Sequence, residues 1–362
     1  MNLLHAFIAV TLSIASAPVF AADEADLELI QRIADRGASC ITLSNDGRFA
    51  YTTSVGTGLG IFKRDPETSQ LNHIVTLKAP DIIGPIRGRI SSDNKYLAVS
   101  DSNGSSVEIF KRDGATGGLT KVAFAGELNG IGDAQLSPDN HFVYTASGAR
   151  LGVFKFEDDS LTPVQTEDAG GNLKGLRPFA LSPNGRWLYT AAQQSGTLGT
   201  FRRDETSGKI EMLQMLSNEQ EGITTLRGAY RLAVSSDGKQ IYVSSGRDYG
   251  DQAVSVFEVQ SDGTLKPLQQ FTGGMDGFEE FEGGNEIGVS PDGKWVFAAA
   301  TVSDRLFRFS RDSITGKLTF ITSQQVGTFA NPGANGVTFS PDGKSVYVAD
   351  QIEHAIEVYK LP

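Results

Sequence analysis

Apolar and polar positions follow one unit seven times along the chain. Each copy opens on a Ser-x-Asp/Asn-Gly/Asn turn, at Ser44, Ser91, Ser137, Ser182, Ser235, Ser290 and Ser340. A repeat of this length marks an architecture of stacked or circular units. The fullest copies read SPDGKWVFAAA from Ser290 and SPDGKSVYVAD from Ser340. Asp-Gly and Asn-Gly favour the positive φ angles of tight hairpins, so each copy is predicted to join two antiparallel strands. In the last copy these are Gly336 to Phe339 and Ser345 to Ala349.

A third strand follows each hairpin and carries an aromatic at one fixed place: Phe62, Phe110, Phe154, Phe201, Phe257, Phe309 and Tyr359. Adjacent aliphatic and aromatic residues within it imply a sheet covered on both faces, as blades arranged around an axis are. Fourth strands are predicted after Leu71, Leu119, Leu161, Ile210, Leu265 and Leu318, but the seventh unit ends at its third. The segment DLELIQRI, residues 26–33, precedes the first unit and is predicted to supply the missing outer strand. It would close the ring and hide sheet edges that otherwise pair with other chains. A helix over 25–36 is the competing reading. The expected fold is an all-β, seven-bladed propeller of four-stranded antiparallel blades, one domain over 22–362.

Residues 3–20 hold no charged side chain and lead to Phe20-Ala21-Ala22-Asp23, which suits a signal peptide over 1–21 and a periplasmic or secreted protein. No stable membrane insertion is expected after cleavage, and the mature chain is expected to be a monomer. A retained anchor is the alternative. With 32 Lys+Arg against 43 Asp+Glu the chain carries a formal charge of -11, which argues against nucleic acid as a partner. A single Cys, Cys40, excludes an intrachain disulfide framework. There is no metal-spaced Cys/His cluster, no phosphate-binding Gly-x-x-x-x-Gly-Lys loop and no Gly-x-Ser-x-Gly elbow, so no cofactor or metal is expected.

The repeated S-P-D-G-K-x-V-Y-V-A, followed by V-F-x-R-D-x-x-T-G-x-L, resembles the seven-bladed propeller lactonases of the 6-phosphogluconolactonase and carboxymuconate cyclase type. The resemblance covers essentially the whole chain after the leader. It implies a catalytic stretch similar to P-R-H-x-x-F-x-P-D-G, followed after the next strand by Asn-Glu. The nearest match runs from Leu176 to Gly185 and on to Tyr189-Thr190-Ala191-Ala192-Gln193-Gln194. Arg177 keeps the arginine, but Pro178 stands at the histidine position and Ala192-Gln193 replaces Asn-Glu. Proline has no proton to transfer and glutamine is no general base, so the family's acid–base pair does not carry over. Of the histidines, His73 is placed on an outer strand, His141 in a turn and His354 near the functional face.

In a propeller the innermost strands line the axis. The residue four places before each turn serine is expected near the channel entrance, which gives Cys40, Arg87, Asp133, Pro178, Arg231, Glu286 and Gly336. Arg177, Arg227 and Asn285 are expected in the loops that enter these strands. Arginines mixed with carboxylates can hold a sugar acid or lactone. They could also hydrolyse one, with Asp133 or Glu286 activating water and Arg87 or Arg231 stabilising the oxyanion. The competing reading is structural: Arg87 with Asp133 and Arg231 with Glu286 as ion pairs between neighbouring blades.

Two long loops, 246–252 with Arg247, Asp248, Tyr249 and Asp251, and 273–286 with Asp276, Glu279, Glu280 and Glu282, are expected on the same face. The acidic spacing fits no defined calcium loop. Phe278 and Phe281 are expected to cap the funnel or contact a partner. The partner expected at the loop face is a small anionic metabolite or a protein.

Overall fold

The structure, a computed structural model, describes residues 26–35, 37–246, 250–275, 277–327 and 333–361. The predicted signal segment 1–21 and Arg247 therefore lie outside the described residues. Among these residues the chain forms seven separate four-stranded antiparallel sheets, each ordered from inner to outer strand along the sequence except the last. Blades one to six span 40–77, 85–125, 131–167, 176–217, 229–272 and 284–325. Blade seven combines 334–360 with Leu29–Ala34, which pairs antiparallel with Ala355–Lys360 as the outermost strand. Closure by the N-terminal segment is thus met, and the helical alternative is excluded.

The seven turn units share one local mechanism. Each turn serine or its backbone closes the hairpin, as in Ser137 Oγ donating to Asp139 and accepting from the amide of Phe142. Glycine at the turn adopts positive φ in most copies, for instance 70° at Gly293 and 68° at Gly343, where a Cβ would be strained. The seven third-strand aromatics are all buried, at 0–8% exposure. A bulge interrupts the pairing of third and outer strands beside that aromatic in every blade, including Leu29/Gln31 opposite Tyr359 in the closing strand. The bulge resets the face alternation of residues 26–33. Ile30 and Ile33 turn to the core, while Leu29 is 49% exposed.

The closing strand also carries the glutamine clamp of its sister outer strands. Gln31 accepts from the Leu71 amide at 2.7 Å and donates to the Leu71 carbonyl at 3.1 Å. Gln165 does the same to Ile210, Gln214 to Leu265 and Gln269 to Leu318. In the other direction, Gln324 of blade six accepts from the amide of Leu27 at 2.7 Å. Residues 27–34 are therefore bound from both sides by the bonds that join blades elsewhere.

Seams between blades are locked by a second repeated device. On the turn side, Arg203 of blade four donates through Nε to the Tyr144 hydroxyl of blade three at 2.7 Å and through Nη2 to Asp139 at 2.6 Å. Tyr144 in turn donates to the Gly208 carbonyl at 2.7 Å. The same triad recurs as Arg64 with Tyr347 and Asp342, Arg112 with Tyr51 and Asp46, and Arg311 with Tyr242 and Asp237. Where the tyrosine is absent the arginine is too: Ala98 faces a seam with Phe156, and Phe297 one with Leu361. Only the seam between blades four and five breaks the rule. There Tyr189 is buried opposite Val259, and its hydroxyl has no hydrogen-bond partner.

Candidate functional site

Inner strands point alternate residues at the axis, so positions four and two before each turn serine form two stacked layers. The first layer is the predicted ring. In five blades a bulge falls immediately before it, at Pro85/Arg87, Ile131/Asp133, Ala229/Arg231, Gly284/Glu286 and Ala334/Gly336, and in blade four the irregularity Leu176/Phe179 spans Pro178. Bulges re-aim side chains where a sheet builds a site. They place Arg177 and Asn285 within the inner strands Leu176–Leu181 and Gly284–Val289, not in the entering loops as expected from the sequence.

The first layer is a charge network across the channel. Arg87 forks onto Glu286, with Nη1 to Oε2 at 2.8 Å and Nη2 to Oε1 at 3.3 Å. The blade-neighbour contacts read from the sequence are looser: Arg87 Nε to Asp133 at 3.6 Å and Arg231 Nε to Glu286 at 3.5 Å. Asp133 is fully buried, and its close partner is Arg89, bonded through Nε at 2.8 Å and Nη2 at 2.6 Å. Arg89 was not among the sequence candidates. It belongs to the second layer, and continuing the period-two alternation from Arg87 would have found it.

Burial alone would raise the Asp133 carboxyl, but the charges of Arg89 and Arg87 hold it below the usual carboxylate range. Burial would likewise lower Arg87, and Glu286 and Asp133 outweigh it, keeping the guanidinium firmly charged. Arg231 goes the other way: burial and the charge of Arg87 bring it below its ordinary value. Its guanidinium lies over the Tyr230 ring, 4.5 Å from the centroid, and its Nη1 donates to the Tyr230 carbonyl. Burial pushes the Cys40 thiol up, as expected for an inert cysteine. Next to Glu286, Asn285 is fully buried, and neither atom of its carboxamide has a partner.

On the loop face, a cavity of about 410 Å³ opens between blades three and four. It is lined by Gly130, Gly148, Ala149, Lys174, Gly175, Leu176, Arg177, Gln193 and Gln194. The two stretches matched by resemblance, around Arg177 and around Gln193, thus converge on one pocket. Its lining brings two cations and two carboxamides and no carboxylate. Gly132 permits the close approach of the blades here, since a Cβ would meet the Arg177 carbonyl at 2.9 Å. Lys174 was not singled out by the sequence.

The remaining loop-face residues divide. Arg227 is exposed, 3.8 Å from Glu219. Asp251 is structural, accepting from the Arg227 amide at 2.7 Å and from Asn218 at 2.8 Å. Phe278 and Phe281 do not cap the funnel. Both are buried, stacked among Phe271, Phe307, Phe309 and Phe320, because six rings together remove more apolar surface than an exposed lid would. Among the described residues no group of acidic, His or Cys side chains is arranged to hold a metal ion.

A closed seven-bladed propeller with an arginine-rich axis and a cationic loop-face pocket defines the class. The family described as "Lactonase, 7-bladed beta-propeller" matches residues 22–127, 122–226 and 228–362, and the chain belongs to it. A curated relative, the 6-phosphogluconolactonase of Pectobacterium carotovorum, is 26% identical over 224 residues, 60% of each chain. That of Erwinia tasmaniensis is 25% identical over 60% of this chain and 61% of its own. The match spans about three fifths of these relatives' length. Among solved structures, the periplasmic gluconolactonase of Pseudomonas aeruginosa superposes with a TM-score of 0.67 at 22% identity, covering 80% of this chain and 86% of that one. A protein from Lactobacillus plantarum gives 0.71 at 19% identity, covering 84% and 88%. At these identities the structural likeness establishes the fold.

Proposed function

We propose that this lactonase-type propeller binds a small anionic sugar acid or its lactone at the loop face, without the acid–base pair of its family. The observation that carries the reading is the convergence of Arg177, Lys174, Gln193 and Gln194 on one pocket lined by donors and lacking a carboxylate. Such a set suits a carboxylate or phosphate flanked by hydroxyls, with the arginine fork on the anion and the carboxamides on the hydroxyls. Arg227 extends the positive rim of the same face. Nothing in the pocket can take a proton from water at neutral pH, so binding is favoured over hydrolysis there.

Calorimetric titration with 6-phosphogluconate tests this. Saturable binding is expected, weakened about tenfold in Arg177→Ala, the loss of one charge-assisted bond. Equal affinity in wild type and in both Arg177→Ala and Lys174→Ala would overturn the assignment.

A second reading, lactone hydrolysis in the channel, is favoured by the lactonase names of the relatives. In it Glu286, or Asp133, activates water and Arg231 or Arg87 stabilises the oxyanion. The close Arg87 and Arg89 forks oppose it, because they occupy the oxygens of Glu286 and Asp133 that would have to face the water. Turnover of a sugar lactone that is lost in Glu286→Gln would establish it.

Export is part of the same proposal, supported by the charge-free run 3–20. A mature N-terminus at Ala22 or Asp23, read by mass spectrometry, would bear it out, and an intact Met1 on the folded protein would contradict it.

A further inference from the structure

A cavity of about 330 Å³ is lined by residues drawn from the four positions preceding the turn serines, so it lies on the turn side of the Arg87–Glu286 fork. This places it on the opposite side of that fork from the loop-face mouth. Its volume falls within the range of small-molecule sites. Its walls are unlike each other. One presents Thr42, Arg89, Gln135 and Thr338, and the other presents the small side chains of Ala180 and Ala233 with Val234 and Val289.

We propose that this turn-side chamber is a second binding site, independent of the loop-face pocket, for a small hydroxy-carboxylate.

Three features specify the ligand. The buried Gln135 Oε1 has no hydrogen-bond partner, and its residue lines the chamber, so it asks for a donor such as a hydroxyl. Arg89 uses Nε and Nη2 on Asp133 and the Phe179 carbonyl, which leaves the Nη1 hydrogens for an acceptor. Its side chain is 23% exposed, more than any other member of the network. Finally, three guanidiniums, Arg87, Arg89 and Arg231, share two carboxylates, Asp133 and Glu286, so the network holds one positive charge over. A monoanion neutralises it where the dielectric is low and the attraction is weakly screened. A neutral polyol satisfies Gln135 but leaves that charge, and a cation adds to it. One carboxylate with a neighbouring hydroxyl meets all three demands.

The test uses the mature protein with methyl-labelled Leu, Val and Ala, titrated with D-gluconate and, separately, with sorbitol. Gluconate is expected to shift the Leu181, Val234, Val289 and Val337 methyls saturably, and sorbitol is expected to leave them unmoved. Gln135→Leu should weaken the gluconate response about tenfold and Ala233→Leu should abolish it, each with an unchanged thermal midpoint. If one variant fails to fold, the other carries the comparison. Arg177→Ala should leave the chamber response intact while removing shifts of Ala149 and Leu176, which report the loop face. The proposal is overturned if the chamber methyls stay fixed, if both chamber variants respond as wild type, or if sorbitol acts as gluconate does. Absence of Ala149 and Leu176 shifts in the wild-type protein, with the chamber methyls responding, would fail the loop-face reading and leave this one standing.

Discussion

Arg203, at the seam of blades three and four, and Arg231, in the channel, are both largely removed from solvent, with side chains 1% and 13% exposed. Arg203 has a complete set of acceptors: a tyrosine hydroxyl, a backbone carbonyl and a carboxylate. Arg231 has its own residue's neighbour carbonyl, an aromatic face and a carboxylate at 3.5 Å that Arg87 already holds more closely. The first arrangement satisfies a buried charge within the fold. The second leaves one undersatisfied on the axis, its Nε without a hydrogen-bond partner. Buried polar groups are ordinarily paired, so a complete set marks scaffold, and an incomplete set that lines the axial channel marks a place that another molecule can complete.

The sharpest way to break this contrast is to remove a complete set. Arg203→Met should cost about 2 to 3 kcal/mol in urea unfolding, because it removes the charged donor that Asp139 Oδ2, the Gly185 carbonyl and the Tyr144 hydroxyl share. A loss under about 0.5 kcal/mol would mean that the seam triads are incidental.

The closing seam offers a third case, with carboxylates in excess. Asp350 is fully buried near Asp304 and Glu353; burial first, then those charges, push its carboxyl up to about 6. The folded chain therefore holds that proton more tightly than the unfolded one. The stability this gives is complete below about pH 4 and is lost as pH rises through about 6. Asp350→Asn, always neutral and still able to accept from the Ile352 and Glu353 amides, should be more stable than wild type by about 2 to 3 kcal/mol above pH 7, with no difference near pH 4. Thermal midpoints at the two pH values decide, and a gain that does not depend on pH would contradict the electrostatic cause.

The smallest effect compares two tyrosines at equivalent places. Tyr144→Phe removes a hydroxyl that bridges Arg203 and Gly208 and should cost about 1 to 1.5 kcal/mol. Tyr189→Phe removes a buried hydroxyl without a partner and should be neutral or stabilising by up to about 1 kcal/mol. Equal losses at both would show that ring packing, not the triad, sets the seam.

Legibility in the sequence follows the same division. Whatever repeats was readable: the turns, the buried aromatic, the blade count and the missing outer strand. Residues 26–33 were assigned by strand counting and by the alternation of Leu27, Leu29, Gln31 and Ile33 against Asp26, Glu28, Ile30 and Arg32, although Gln31 already carried the clamp of Gln165, Gln214 and Gln269. The channel ring was found by spacing, but its pairing was not. Sequence order makes Arg87 a neighbour of Asp133, whereas circular closure brings it across the axis to Glu286. Arg89 and Gln135 were missed because one ring position was read where alternation supplies two. Phe278 and Phe281 were misplaced because a loop's exposure was inferred from its length, and a cluster of aromatics draws a loop inward whatever its length.

Whether the loop-face pocket of this lactonase-family chain holds a sugar acid without hydrolysing its lactone decides between the two proposed readings. It is tested most directly by following 6-phosphogluconolactone with the purified mature protein while titrating 6-phosphogluconate into the same preparation. Arg177-dependent binding of the acid and loss of the lactone at the rate seen in buffer are expected. Catalysed loss that disappears in Glu286→Gln and persists in Arg177→Ala would contradict it and move the working site into the channel.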